Sequence, residues 1–288
     1  MKLCRFLTAT ATATGPARIG LLQDDAVTDL SAGGIQSLGQ ILEADQPAHH
    51  AQAAIRPDSP RLPLAQVRLL APVENQEVWA AGVTYLRSKA ARMEESDFSA
   101  RAYDHVYEAP RPEIFFKALA AKVVGPGEAV GIRRDARWSV PEPELALVLN
   151  SRGRLAGFTT GNDMSSRDIE GENLLYLPQA KIYDRSCALG PCITLVDDEA
   201  VARQWSVSIT IHRAGAAVFS GSTPVDRIKR GFRELAEWLF RSQTFPHGAV
   251  LLTGTGIVPP DAFTLAAEDV VEIHISGIGT LTNPVSVV

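Results

Sequence analysis

Long hydrophobic runs are missing from this 288-residue chain. No stretch approaches the ~18 apolar residues that a membrane-crossing helix requires. The opening MKLCRFLTATATATG carries one Lys, one Arg and only a broken apolar run, so it reads as a strand and not as an export signal. Positive charge is also short: 28 Lys and Arg against 33 Asp and Glu give a formal net charge of −5, without the basic footprint of a nucleic-acid binder. Only three cysteines occur, Cys4, Cys187 and Cys192, and none lies in the CxxC spacing of a metal site. A reduced, cytoplasmic protein without membrane or nucleic-acid partners is expected. What remains is ordinary: 45% hydrophobic and 21% charged residues, enough apolar surface to offset chain entropy.

Residues 1–72 read as a small α/β unit. Apolar runs split by Gly15-Pro16 and Asp24-Asp25 suggest hairpins over 8–30, and apolar spacing of three and four suggests an amphipathic helix over 35–55. Pro57, Pro60 and Pro63 end it, and a domain boundary is placed near residue 72. Over 73–288, strand-like runs stand at 77–85, 121–125, 145–150, 154–163, 206–213, 249–256 and 270–285. Helical periodicity is confined to 85–96 and 228–243, the second with Ile228, Phe232, Leu235 and Leu239 on one face. Helices that fail to alternate with strands exclude a doubly wound sheet. The expected fold is mainly β (α+β), a β-rich sandwich or roll.

The segment SVPEPELALVLN is the most informative. On a strand, Glu142 and Glu144 point to one face, setting two carboxylates side by side. Such a pair repels unless a cation sits between its members. Two surface glutamates on a solvated edge are the commoner outcome of this pattern alone. Asp163, in GFTTGNDMSSRD, is far enough along for a hairpin to bring a third carboxylate alongside, although Asp-x-x-Ser also starts helices. Three carboxylates with no histidine nearby specify a hard cation, Mg²⁺ or Mn²⁺, over zinc. Lys181 sits among apolar residues before the small-residue stretch Ser186 to Gly190, and so reads as inward-facing.

PEPELALVL, GNDMSSRD, AKIYDRSCALGP, LLTGTGIVPP and EDVVEIHISGIGTLTNPV, in that order, resemble the fumarylacetoacetate hydrolase superfamily over residues 73–288. The resemblance implies a mixed β-sandwich roll, a homodimer, and a divalent metal held by Glu142, Glu144 and Asp163. It also implies that Lys181 binds substrate or assists proton transfer. The family's Asn-Tyr-x-x-His-x-x-Glu, whose His–Glu pair activates water, corresponds to Thr84 to Ala91, with Ser88 and Ala91 in the two positions. A serine is no general base near neutral pH. Arg111-Pro112-Glu113-Ile114-Phe115-Phe116-Lys117 adds Glu113 to the family's Phe-x-Lys element, and Gly254-Thr255-Gly256 departs from its usual Gly-Thr-Pro.

These departures resemble the branch that dehydrates 2-keto-3-deoxy sugar acids. Such an acid loses a C3 proton and its C4 hydroxyl, which takes a base and an acid but no activated water. Lys181 and Glu113 are assigned these two catalytic roles, in either order. Tyr85, Arg87, Lys117, Gly254 and Thr255 are expected to contact the substrate, a small 2-keto acid. Asp168 and Arg167 are expected to brace the metal loop, and Cys187 to fill the core. The alternatives are a hydrolase of 2,4-diketo acids and a non-catalytic 2-keto acid or metal-binding module on the same scaffold.

Overall fold

Short β-branched runs punctuated by Gly and Pro become strands, most of them antiparallel to a neighbour. A computed structural model describes residues 1–8, 15–85 and 105–288. The first 72 residues supply β1 (Lys2–Thr8), β2 (Arg18–Gln23), β3 (Ala26–Asp29), β4 (Arg61–Pro63) and β5 (Val67–Leu70). Next come β6 (Glu77–Gly82), β7 (Glu113–Leu119), β8 (Val130–Ile132) and β9 (Ser139–Val140). The centre of the fold is β10 (Pro143–Leu149), β11 (Leu155–Asp163), β12 (Ser165–Ser166) and β13 (Cys187–Thr194). The last are β14 (Ser206–Arg213), β15 (Ala216–Pro224), β16 (Ala249–Leu252), β17 (Val270–Ile275) and β18 (Gly279–Val287).

Eleven strands form one sheet in the order β4-β3-β2-β1-β13-β11-β10-β16-β6-β7, with β5 also paired to β1. A second sheet runs β15-β14-β17-β18-β8, and β9 pairs with β12. Pairing is antiparallel except for β16 with β6 and β18 with β8, so the sheets are mixed. Alternation along β10 divides the interior. Leu145, Leu147 and Leu149 face Ile209, Ile273 and Leu281 of the second sheet, as a sandwich requires. Ala146 and Val148 face the other way, onto a core shared with Leu3, Leu21 and Ile41. The first 72 residues therefore extend the main sheet and close its second core.

Several elements differ from the sequence reading. The helix expected over 35–55 is two helices, Leu38–Leu42 and Pro47–Ala53, because Pro47 cannot continue a helix and instead starts one. Residues 121–125 form no strand: Ala120–Lys122 is a 3₁₀ turn, and Val124 makes one isolated bridge to Ala188. The second periodic segment is helical from Phe232 to Phe240, with Phe232, Leu235 and Leu239 buried; Ile228 is buried in the turn before it. The helix expected over 85–96 lies outside the described residues beyond Tyr85. Strand β13 is absent from the sequence reading because Gly190-Pro191 at its middle looks like a turn. Among the described residues no helix is long and apolar enough to cross a membrane.

Candidate metal centre and active site

The β10–β11 hairpin assembles the acidic site. Pro143 pairs with Asn162 and Glu144 with Gly161, and the Asp163 N–H donates to the Glu142 carbonyl at 3.0 Å. This register sets Glu142, Glu144 and Asp163 on one face, at the end where the two strands leave the sheet. All three are buried, and one carboxylate oxygen from each lies within 4.8 Å of the others. The Gly254 N–H donates to Glu144 Oε2 at 2.6 Å. Burial, then the neighbouring Asp163 and Glu142, pushes the Glu144 carboxyl well above the usual carboxylate range.

Three buried cations answer these charges. Lys181 ends the short helix Leu177–Lys181, and its Nζ donates to Glu142 Oε2 at 2.7 Å, Asp163 Oδ2 at 3.3 Å and Ser165 Oγ at 2.6 Å. Arg167 Nη2 donates to Glu142 Oε1 at 2.7 Å. Lys117 Nζ forms an ion pair with Asp163 Oδ1 at 2.5 Å and donates to the carbonyls of Met164 and Lys181. An all-oxygen set of three buried carboxylates fits a hard divalent cation, whose charge would offset the burial and the repulsion that together raise the Glu144 carboxyl.

A cavity opens over the carboxylates, lined also by Ala81, Gly82, Val83, Phe115, Gly254 and Thr255. It lies where parallel neighbours β6 and β16 end and turn. Thr84 Oγ1 donates to the Thr253 carbonyl at 2.6 Å, tying the two turns together. Gly254 has φ +89°, and a Cβ there would overlap Thr84 Oγ1. Glu113 begins β7 opposite Gly82, and a Cβ on Gly82 would overlap the Glu113 carboxylate. That carboxylate therefore lies against a lining residue of the cavity.

Of the residues expected to be catalytic or metal-binding, Glu142, Glu144, Asp163 and Lys181 meet, and Glu113 stands at the cavity wall. Gly254 and Thr255 line the cavity, the Thr255 hydroxyl being within 3.3 Å of the Ile257 N–H and carbonyl. Tyr85 is buried, and burial followed by the charge of Glu144 raises its phenol. Lys117, expected at the substrate, directs its ammonium to Asp163 and two carbonyls instead. Arg87, Ser88 and Ala91 lie outside the described residues. Arg167 does brace Glu142, while Asp168 Oδ2 accepts from the Arg137 N–H. Asp184 pairs with Lys122 at 2.9 Å. Cys187 is fully buried, and burial pushes its thiol up to about 12. The sequence reading does not single out Ser165, whose signal is its place two residues beyond Asp163, at the start of β12.

A larger cavity, about 570 Å³, lies between the helix Phe232–Phe240 and the β10–β11 turn. Its Arg152, Arg154 and Arg233 are paired with Asp45 and Glu237, and among the described residues no set of three carboxylates converges there. The smaller acidic cavity is the one equipped for chemistry.

The model of the fumarylacetoacetate hydrolase C-terminal family matches residues 77–286, and an Rv2993c-like N-terminal model matches 1–72. A probable 2-keto-3-deoxyxylonate dehydratase of Haloferax volcanii is 49% identical over 75% of this chain and 74% of its own length. A 2-dehydro-3-deoxy-D-arabinonate dehydratase of Saccharolobus solfataricus is 43% identical over 76% of this chain and 74% of its own. The solved structure of a 2-keto-3-deoxy-D-arabinonate dehydratase complexed with magnesium and 2,5-dioxopentanoate superposes with a TM-score of 0.83 at 34% identity, covering 100% of this chain and 99% of that one.

Proposed function

Because the chain belongs to the fumarylacetoacetate hydrolase C-terminal family and carries this site, we propose that it is a Mg²⁺-dependent dehydratase of 2-keto-3-deoxy sugar acids. For a pentonate the product is 2-oxoglutarate semialdehyde, which is 2,5-dioxopentanoate, in a non-phosphorylating breakdown of pentoses. The observation that carries the reading is the convergence of Glu142, Glu144 and Asp163 with Lys181 in one buried cluster. Relatives named for this reaction, one of them solved with magnesium and that product, support it.

Glu142, Glu144 and Asp163 would hold Mg²⁺, which when bound supplies a Lewis acid for the 2-keto oxygen and steadies the charge that grows there. Lys181 makes three donor contacts, as an ammonium does, so it is the group to protonate the departing C4 hydroxyl. Glu113 is then the base that takes the C3 proton. Loss of that proton and of the C4 hydroxyl as water leaves a C3=C4 double bond. A proton taken from C5 and one returned to C3 shift it to C4=C5, and the resulting enol becomes the aldehyde. Ser88 and Ala91 leave no His–Glu pair to activate water, which sets this chain apart from hydrolases of 2,4-diketo acids. A homodimer working in the cytoplasm, with a domain boundary near residue 72, belongs to the same proposal. Its supports are three free, buried cysteines and family matches that meet between residues 72 and 77.

Isotope exchange separates the two proton roles. In D₂O with Mg²⁺, Lys181→Met should still exchange the C3 hydrogens while losing turnover, and Glu113→Gln should lose both. Wild-type turnover in either variant would remove that residue from the mechanism.

A further inference from the structure

Val83 is the anomaly of the site. Its φ of +54° lies in the left-handed region, which a β-branched residue very rarely occupies. It is buried, with 5% of its surface exposed, and lines the cavity over the three carboxylates. The flanking contacts hold it there. Gly82 is pinned under the Glu113 carboxylate, Thr84 Oγ1 is bound to the Thr253 carbonyl, and the Thr84 carbonyl accepts from the Lys229 N–H at 3.0 Å. A glycine or asparagine would adopt this backbone with less strain. Strain of this kind persists where the surrounding structure enforces it, and it clusters at functional sites.

The cavity lining is two-sided. Glu142, Glu144, Asp163, Gly254 and Thr255 give the polar side, and Ala81, Val83 and Phe115 give an apolar one. A 2-keto-3-deoxy sugar acid has the same division. Its carboxylate, keto and hydroxyl oxygens are interrupted once, by the C3 methylene. We propose that Val83 is a specificity-determining residue. With Ala81 and Phe115 it forms the apolar wall that accepts the C3 methylene and rejects 2-keto acids hydroxylated at C3. On the side of C3 turned away from Glu113, a hydroxyl against that wall would lose its water without gaining a partner, and an apolar pocket discriminates against an added hydroxyl by on the order of 100-fold.

The proposal rests on the functional reading above, and the test keeps the two apart. 2-Keto-3-deoxygluconate and 2-ketogluconate differ only in the C3 hydroxyl. Their affinities for the Mg²⁺-loaded protein are measured by calorimetry, on the wild type and on Val83→Thr, which keeps shape and β-branching but adds a hydroxyl. The wild type should favour the 3-deoxy acid by roughly 100-fold. Val83→Thr should narrow that ratio about tenfold, since a paired hydroxyl recovers about one hydrogen bond. Val83→Ala, which shortens the wall, should also weaken the preference. A wild type that binds both acids alike, or variants that keep the wild-type ratio, would overturn the assignment. Because the ratio is read from binding, it judges Val83 even if no water is lost from either acid; that absence would count against the dehydratase reading alone.

Discussion

A lysine ammonium with no exposed surface is costly unless each of its N–H groups finds an acceptor, and Lys117 meets that condition with Asp163 and the carbonyls of Met164 and Lys181. It thereby positions two groups at once: the Asp163 carboxylate and the helix end that carries Lys181. Lys117→Met should lower unfolding stability by about 3–5 kcal/mol, the usual cost of leaving one member of a buried pair alone. Calorimetric titration should also show weakened Mg²⁺ affinity; an unchanged denaturation midpoint and Mg²⁺ affinity would remove the positioning role. Glu144 makes a prediction about pH. Its folded-state pKa is raised, so its contribution to stability is full below the unfolded-state value and is lost as pH rises through the folded value. Without metal, the melting temperature of the wild type relative to Glu144→Gln should therefore fall as pH rises above ~4.3, and Mg²⁺ should suppress that trend. A pH-independent difference would contradict it. Residue identities at this scale were legible in the sequence, because carboxylates two apart on a strand must share a face. The partners of Lys117 were not, since its acceptors include two backbone carbonyls 47 and 64 residues away.

Parallel strands β6 and β16 end side by side and turn away together, and their two turns make one wall of the site. The turns are interlocked: Thr84 Oγ1 reaches the Thr253 carbonyl, and Gly254 leaves room for that hydroxyl while giving its N–H to Glu144. Gly254→Ala should cost about 1–2 kcal/mol from the left-handed backbone alone. Displacing Thr84 adds to this, and activity should fall more than stability because Glu144 loses its anchor. Urea unfolding set beside turnover checks this, and a variant with wild-type values of both would break the link between turn and site. Strand runs such as 206–213 could be read directly from alternation. Strand β13 could not, because its residues are buried throughout and interrupted by Gly-Pro, which removes both the periodic signal and the expected composition.

Across the molecule, a boundary visible in composition near residue 72 is not a boundary in the core. β1 pairs with β13, and Leu3, Leu21 and Ile41 share a cluster with Ala146, Val148 and Val250. Long-range pairing of this sort leaves no local mark on a sequence, so composition signals a boundary near residue 72 but not the core that crosses it. The sandwich class was legible, because strands without alternating helices have few ways to bury their apolar faces. The central claim, water loss from a 2-keto-3-deoxypentonate, is tested most directly by mass spectrometry of the product. Purified protein with Mg²⁺ is given that acid together with an acylpyruvate. The account predicts loss of one water from the first, abolished by a chelator and by Glu142→Gln, with the acylpyruvate intact. Cleavage of the acylpyruvate with the sugar acid unchanged would contradict it.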